Sequence, residues 1–383
     1  MTSIGPVDPA RSVAATQILP IALRAAEKAG VTRLADVTRL DRLGLPVWQA
    51  VRPMSRAVSV HQGKGATDAD AKVGALLEGV ESHAAETFEA EGPVCRFDAL
   101  PRWQRAPTYC DFAGDRRRPP PADGTQRWVI GEDLLAGGPF HLPFEIVSLD
   151  LTRYAPSLFD RASNGIATGA SRDEALGVAL QEFVERDAVT EWQAGSLLDR
   201  MACTLDLDSV PFPWLGLWRQ RLRAESIGIR FYRVPSLSGT PVFACELNDL
   251  CKQGERYRAI QGRGCHAIPE IALFKALAEA LQVRITLISG GRDDLMPSGY
   301  GSRGDQGIRV TFGLPLPAGM RGVDWDEISP GPTGPAAIAG ALERTGYGRI
   351  GIVELGRPEV LFVVRAYVCG LGSIRRRRRA PLP

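Results

Sequence analysis

Five glutamates carry the first chemical signal. Glu78 and Glu81 stand three apart in Leu76-Leu77-Glu78-Gly79-Val80-Glu81, and Glu182 and Glu185 repeat that spacing in Gln181-Glu182-Phe183-Val184-Glu185-Arg186. Glu279 follows Lys275 by four residues, with Gln282 and Arg284 just beyond. Such spacings put side chains on one face of a helix. Carboxylates with no soft ligands beside them suit hard, oxygen-seeking cations such as Mg2+. That ion usually arrives with nucleotide phosphates, whose remaining charge an arginine can meet. Arg186 stands ready for this, although it is equally an ordinary intrahelical partner for Glu182. Taken alone, a Glu-x-x-Glu pair is more often a solvated face. Here the company is apolar: the helix wheel sets Ala175, Val178, Ala179 and Val189 around Glu182, and Leu176, Leu180 and Val184 form a stripe. A helix apolar on most sides is buried, and a buried carboxylate is costly unless paired or bound to a metal.

Three helices must position these acids. The first is predicted from Thr67 or Asp68 to about Glu89. The second opens on Ser171-Arg172-Asp173-Glu174, a capping box in which Ser171 and Glu174 each satisfy an orphan amide. The third starts at Pro269, suited to a first helical turn, and stops near Gly290-Gly291. Another helix is predicted near Pro335. Strands are predicted at 57–60, 229–234, 242–247, 308–312, 350–355 and 361–368, with His61-Gln62-Gly63-Lys64-Gly65 as a loop. Residues 32–48 read as a helix and a turn. Residues 1–25 read as a loosely ordered lead-in broken by Pro20, 26–372 as one catalytic domain, and 373–383 as a basic, proline-containing tail. The run 114–124, with three arginines and three prolines, reads as an exposed loop. No internal repeat of 20–50 residues stands out. The mixture predicts a layered α+β enzyme with one connected core.

At 383 residues, 44% hydrophobic and 23% charged, the composition is that of a globular protein and excludes disordered, collagen-like and disulfide-stapled chains. Lysines and arginines number 46 against 44 acids, but five of the positives lie at 375–379. Without them the body is slightly acidic, which argues against a nucleic-acid partner. No apolar run reaches the ~18 residues of a membrane span. Pro6, Asp8 and Pro9 stand where an export signal would need a basic start and an apolar run, so a cytoplasmic location is expected. The seven cysteines and four histidines are scattered with no CxxC pair, which leaves a zinc site poorly supported and reduced thiols the simple reading. Cys265 and His266 are adjacent on an expected loop, an arrangement that rarely makes a catalytic dyad. There is no GxxxxGK[ST] loop, no GxGxxG opening a helix, no GxSxG elbow and no kinase signature. Any use of ATP must run through acidic helices.

At these residues the chain resembles the YcaO family. The likeness rests on Gln62-Gly63-Lys64-Gly65, on Ala75 through Glu81, on Ser163-Asn164-Gly165-Ile166-Ala167, on Gln181 through Ala188, and on Ala278 through Arg284 with Arg292-Asp293-Asp294. It covers roughly residues 31–370. The opening, Leu34-Ala35-Asp36-Val37-Thr38 to Gly44-Leu45-Pro46-Val47-Trp48 and Arg52-Pro53, resembles the branch encoded beside TfuA-like partners. The resemblance implies a YcaO-type fold of mixed sheets with long acidic helices lining a deep nucleotide cleft. It implies ATP and Mg2+ as cofactors, and phosphorylation of a backbone amide oxygen in a ribosomally made precursor peptide or protein. Residue by residue it makes Glu78, Glu81, Glu182 and Glu185 metal ligands, Arg186 and Glu279 organisers of phosphate or metal, and Lys64 and Lys275 nucleotide contacts. Thioamide formation with a TfuA-like partner leads. Azoline-forming cyclodehydration with an E1-like partner is the alternative, and a non-catalytic accessory protein, including a ribosomal-protein methylthiolation accessory factor, is the third. A homodimer is left open. Three departures bear on this. Ala170 replaces a usual asparagine, Lys275 replaces an arginine and loses its two-pronged grip, and the tail ends Ala380-Pro381-Leu382-Pro383 where azoline formers typically end Pro-x-Pro-x-Pro.

Overall fold

A computed structural model describes residues 4–9, 11–89, 92–112, 124–153, 159, 161–249, 260–292 and 315–371. In chain order, α1 (Ala15–Lys28) leads into β1 (Arg33–Asp36), β2 (Val47–Val51), β3 (Val60–Lys64) and α2 (Asp68–Thr87). Then come β4 (Val94–Arg96), β5 (Thr125–Asp133), β6 (Pro139–Pro143), the single turn α3 (Phe144–Val147), β7 (Ile166–Gly169) and α4 (Arg172–Ala194). They are followed by α5 (Leu197–Ala202), α6 (Pro213–Ala224), β8 (Ile227–Val234), β9 (Val242–Asp249), β10 (Ile260–Cys265) and α7 (Pro269–Ser289). Last are α8 (Pro335–Arg344), β11 (Ile350–Gly356) and β12 (Phe362–Val368).

Among the described residues the strands form three antiparallel sheets. Two have three strands each, in the orders β1-β2-β3 and β10-β9-β8. The third runs β4-β5-β11-β12-β7, with β6 also paired to β5. This mixed α+β architecture matches the expectation. Two apolar cores support it. One joins the six-stranded sheet to α1, α2, α4 and α8 through residues such as Ile18, Leu76, Trp128, Leu180, Leu342 and Val363. The other packs α6 and α7 on β8–β10 through Trp214, Trp218, Phe231, Phe243 and Leu277. No helix among the described residues is long and apolar enough to cross a membrane.

Three sequence expectations need correction. The lead-in is a helix: α1 runs through the boundary placed after residue 25 and buries Ile18, Ala22, Ala25 and Ala26. Pro20 sits inside it, costing one amide rung without ending a helix whose small face packs against α2. Residues 32–48 are not helical but form β1 and β2 around a 3-10 turn at Thr38–Leu40. Leu43, Leu45 and Val47 are buried at every second position, a strand-like period that a short run conceals. The segment read as a loop, 61–64, is the body of β3. The expected strand at 308–312 and the basic runs at 116–118 and 375–379 lie outside the described residues.

Candidate functional site

The site begins where glycine strands lie on helices. A side chain on Gly63 would collide with the backbone of Ala71 and Ala75 in α2, so only glycine lets β3 lie this close. Gly262 and Gly264 seat β10 on α7 in the same way, against Ala276 and Ala280 and against Ala272 and Ala276. β3 is an edge strand, and its Gln62 amide donates to Glu78 Oε2 at 2.9 Å. Two further edge contacts do the same for neighbouring acids. Thr168 N–H on β7 donates to Glu81 Oε1 at 2.7 Å, and Gly165 N–H donates to Glu182 Oε2 at 3.0 Å. Gly165 has φ +84°, a left-handed conformation open to glycine, in the Ser-Asn-Gly turn before β7. Each of these three carboxylates is thus fixed through one oxygen, which aims the other.

Helix caps set the registers. Thr67 and Asp70 form a complete capping box on α2. On α4 only half of the expected box is made: the Ser171 hydroxyl accepts from Glu174 N–H at 3.2 Å, while the Glu174 carboxylate accepts from Ser12 at 2.5 Å. The face that buries α4 is nearly as expected, with Ala175, Ala179 and Val189 buried, but Val178 is 45% exposed.

The acids gather as two neighbouring groups. Glu78, Glu81 and Glu182 feel one another's charge, as do Glu185 and Glu279, and Arg186 interacts with Glu182, Glu185 and Glu279. Its NH2 lies 3.5 Å from Glu182 Oε1, and its Nε lies 3.9 Å from Glu185 Oε1. Burial pushes the Glu81 carboxyl up to about 8, with the negative charges of Glu78 and Glu182 adding to it. Burial also raises Glu78 against the pull of the Gln62 amide, Arg292 and Lys64, and it raises Glu185 together with the charge of Glu279. For Arg186 burial opposes the charge, but Glu185, Glu182 and Glu279 outweigh it and its pKa rises. Among the described residues no three carboxylate, histidine or cysteine side chains close on a single point as they stand. The donors are nevertheless hard oxygens, half-buried or, in Glu185, buried, mutually repelling, and in three cases aimed by a backbone amide. A divalent cation would relieve that repulsion, so the residues present fit Mg2+.

The expected nucleotide contacts lie nearby but are engaged. Lys64 Nζ donates to Gln282 Oε1 at 2.7 Å, crossing from β3 to α7. Lys275 Nζ donates to the Cys265 carbonyl at 2.9 Å, and its charge also reaches Glu185. Cys265 is buried, its thiol pushed well up by burial and by Glu185. His266 Nδ1 accepts from Ile268 N–H at 3.1 Å, so no Cys-His dyad exists. Sequence reasoning missed Arg263, a cation on β10 beside Glu185 and Glu279. No periodic signal marked it, since Arg263 stands alone between Gly262 and Gly264.

A family model described as YcaO cyclodehydratase, ATP- and Mg2+-binding, matches residues 62–371. The chain belongs to the YcaO family. A relative from Rhizobium leguminosarum bv. trifolii, described as an uncharacterized protein in the tfuA 3' region, is 31% identical over 277 residues, 71% of this chain and 66% of its own. An uncharacterized protein of Methanothermobacter thermautotrophicus is 31% identical over 281 residues, 69% of this chain and 68% of its own. The YcaO fold is equally plain in solved structures. A heterocyclase in complex with substrate and cofactor aligns with TM-score 0.76 and 20% identity over 96% of this chain and 53% of its own. YcaO from Methanopyrus kandleri, bound with AMPPCP and Mg2+, aligns with TM-score 0.70 and 23% identity over 94% and 92%. This YcaO chain therefore spans about two thirds of the first relative and about half of the heterocyclase.

Proposed function

We propose that this YcaO protein uses Mg2+ and ATP to activate a backbone amide of a precursor peptide or protein, and that a TfuA-like partner directs the outcome to a thioamide. The observation that carries the reading is that Glu182 joins two groups of acids, Glu78 and Glu81 on one side and Glu185 and Glu279 about Arg186 on the other. When bound, ATP would supply the phosphoryl group that turns an amide oxygen into a leaving group, and Mg2+ would offset the phosphate charge. Glu78, Glu81, Glu182 and Glu185 would hold the ion, and the backbone amides of Gln62, Thr168 and Gly165 orient three of them. Arg186 and Glu279 organise the phosphates, with Lys64 and Lys275 at the margins. The relative from the tfuA 3' region favours the thioamide. The likeness to a heterocyclase favours a second reading, azoline formation with an E1-like partner.

Mixing the protein with Mg2+, ATP, a candidate peptide, the partner and a sulfide salt as the sulfur source tests both; the amide oxygen leaves as phosphate. The proposal expects ADP release and a peptide heavier by about 16 Da, oxygen exchanged for sulfur, whereas an azoline is lighter by about 18 Da. An absence of ADP release across peptides and partners would mean a non-catalytic accessory protein.

A further inference from the structure

The cations near the acids differ in what they already hold. Lys64 and Lys275 each donate to an oxygen of this chain, Gln282 Oε1 and the Cys265 carbonyl. Arg263 stands between Gly262 and Gly264, whose missing side chains face α7. Alternation along a strand therefore sends the Arg263 side chain from the opposite face. There it comes within electrostatic reach of Arg186, Glu279, Glu185 and Glu182. Its Nε–H is sealed from water and meets no acceptor among the described residues, and the Nε–H of Arg186 is in the same position. Two half-satisfied guanidinium groups near one another repel, and a buried donor left without an acceptor destabilises the fold. An anion with several oxygens and more than one charge answers both needs.

The architecture adds a second argument. Gly63 meets Ala71 and Ala75 as Gly264 meets Ala272 and Ala276, at the same separations along the chain. In that frame Glu279 on α7 takes the place of Glu78 on α2, and Arg263 takes the place of Gln62. The strand residue beside each glycine is thus turned away from the helix its glycine rests on. On β3 that residue is neutral and crosses to the Thr286 hydroxyl. On β10 it carries a positive charge.

We infer that Arg263 is a phosphate ligand, gripping the nucleotide's phosphates with Arg186 and supplying the two-pronged contact that Lys275, tied to the Cys265 carbonyl, does not make. The inference rests on the Mg2+–ATP reading of the site. Calorimetric titration of the full chain with Mg2+ and a non-hydrolysable ATP analogue, and separately with inorganic tripolyphosphate, tests it. Arg263→Gln is expected to weaken both about tenfold to a hundredfold, the usual range for a charge-assisted contact. Arg263→Lys should recover only part of the loss, because a point charge lacks the fork. Melting without ligand should change little in Arg263→Gln, since the repulsion from Arg186 and the attraction of Glu279, Glu185 and Glu182 are lost together. Wild-type affinity for both probes in that variant overturns the inference and leaves the Mg2+–ATP reading standing. A wild-type protein that binds neither probe overturns both. If Arg263→Gln melts early, Arg263→Lys decides, and undiminished affinity there counts against the fork.

Discussion

Three of the five acids, Glu78, Glu81 and Glu182, are each held by a backbone amide, while Glu185 and Glu279 face the charge of Arg186. Glu182 is the most informative to change, because it accepts from Gly165 and also lies beside Arg186. Glu182→Gln is expected to abolish ATP turnover, by at least about a hundredfold, while circular dichroism and melting stay near wild type; unchanged turnover would remove the site as drawn. Lys275→Arg restores the family's usual residue and should leave turnover equal or higher, measured as ADP release. A loss would mean that the bond to the Cys265 carbonyl is the residue's real task. The five glutamates were legible in the sequence because charge recurring on apolar helices is conspicuous. Arg263 was not: one residue on a segment with no helical period gives no such contrast, and its meaning appears only when β10 is laid against α4 and α7.

Long capped helices were read nearly to the residue, since Thr67, Ser171 and Pro269 are local signals that need no tertiary partner. The glycine strands were missed for the opposite reason. Gln-Gly-Lys-Gly looks like a loop until a helix backbone is pressed against it. The same fact escaped the search for repeats: two three-stranded sheets, each with a glycine strand seated on the following helix, share a geometry but little sequence. Gly63→Ala and Gly264→Ala are expected to lose about 1–3 kcal/mol to overpacking, seen as lowered melting temperatures. In Gly63→Ala, Mg2+–nucleotide affinity should fall as well, because moving β3 disturbs the Gln62–Glu78 bond. Ser171→Ala should cost about 1 kcal/mol by removing the α4 cap.

The molecule as a whole places its site along the seam between two cores. α2 and α4 belong to one and α7 to the other, and the Lys64–Gln282 and Gln62–Thr286 bonds cross between them. No local pattern announces such a seam, so the sequence supplied the parts without their assembly. On β9, Glu246 is 1% exposed, on the face it shares with Ala244 of the first core. Its carboxyl accepts from the Tyr232 hydroxyl at 2.8 Å and from Gln261 at 3.4 Å, with Arg230 and Arg200 near. Burial still raises it from 4.5 to about 7. Across that window the native chain holds a proton that the unfolded chain has lost, so stability falls as pH rises and levels off above it. Urea unfolding at several pH values should show this decline, flattened in Glu246→Gln.

The carboxylates that meet Gln62 and Thr168 have one more effect. β3 and β7 are the outer strands of their sheets, and an outer strand with open amides invites a foreign strand to zip on. Glu78 and Glu81 take an outward amide on each. On the proposed reading the same two side chains would serve both chemistry and self-protection: loss of either acid uncovers a sticky rim, and such variants should clump more readily in concentrated solution.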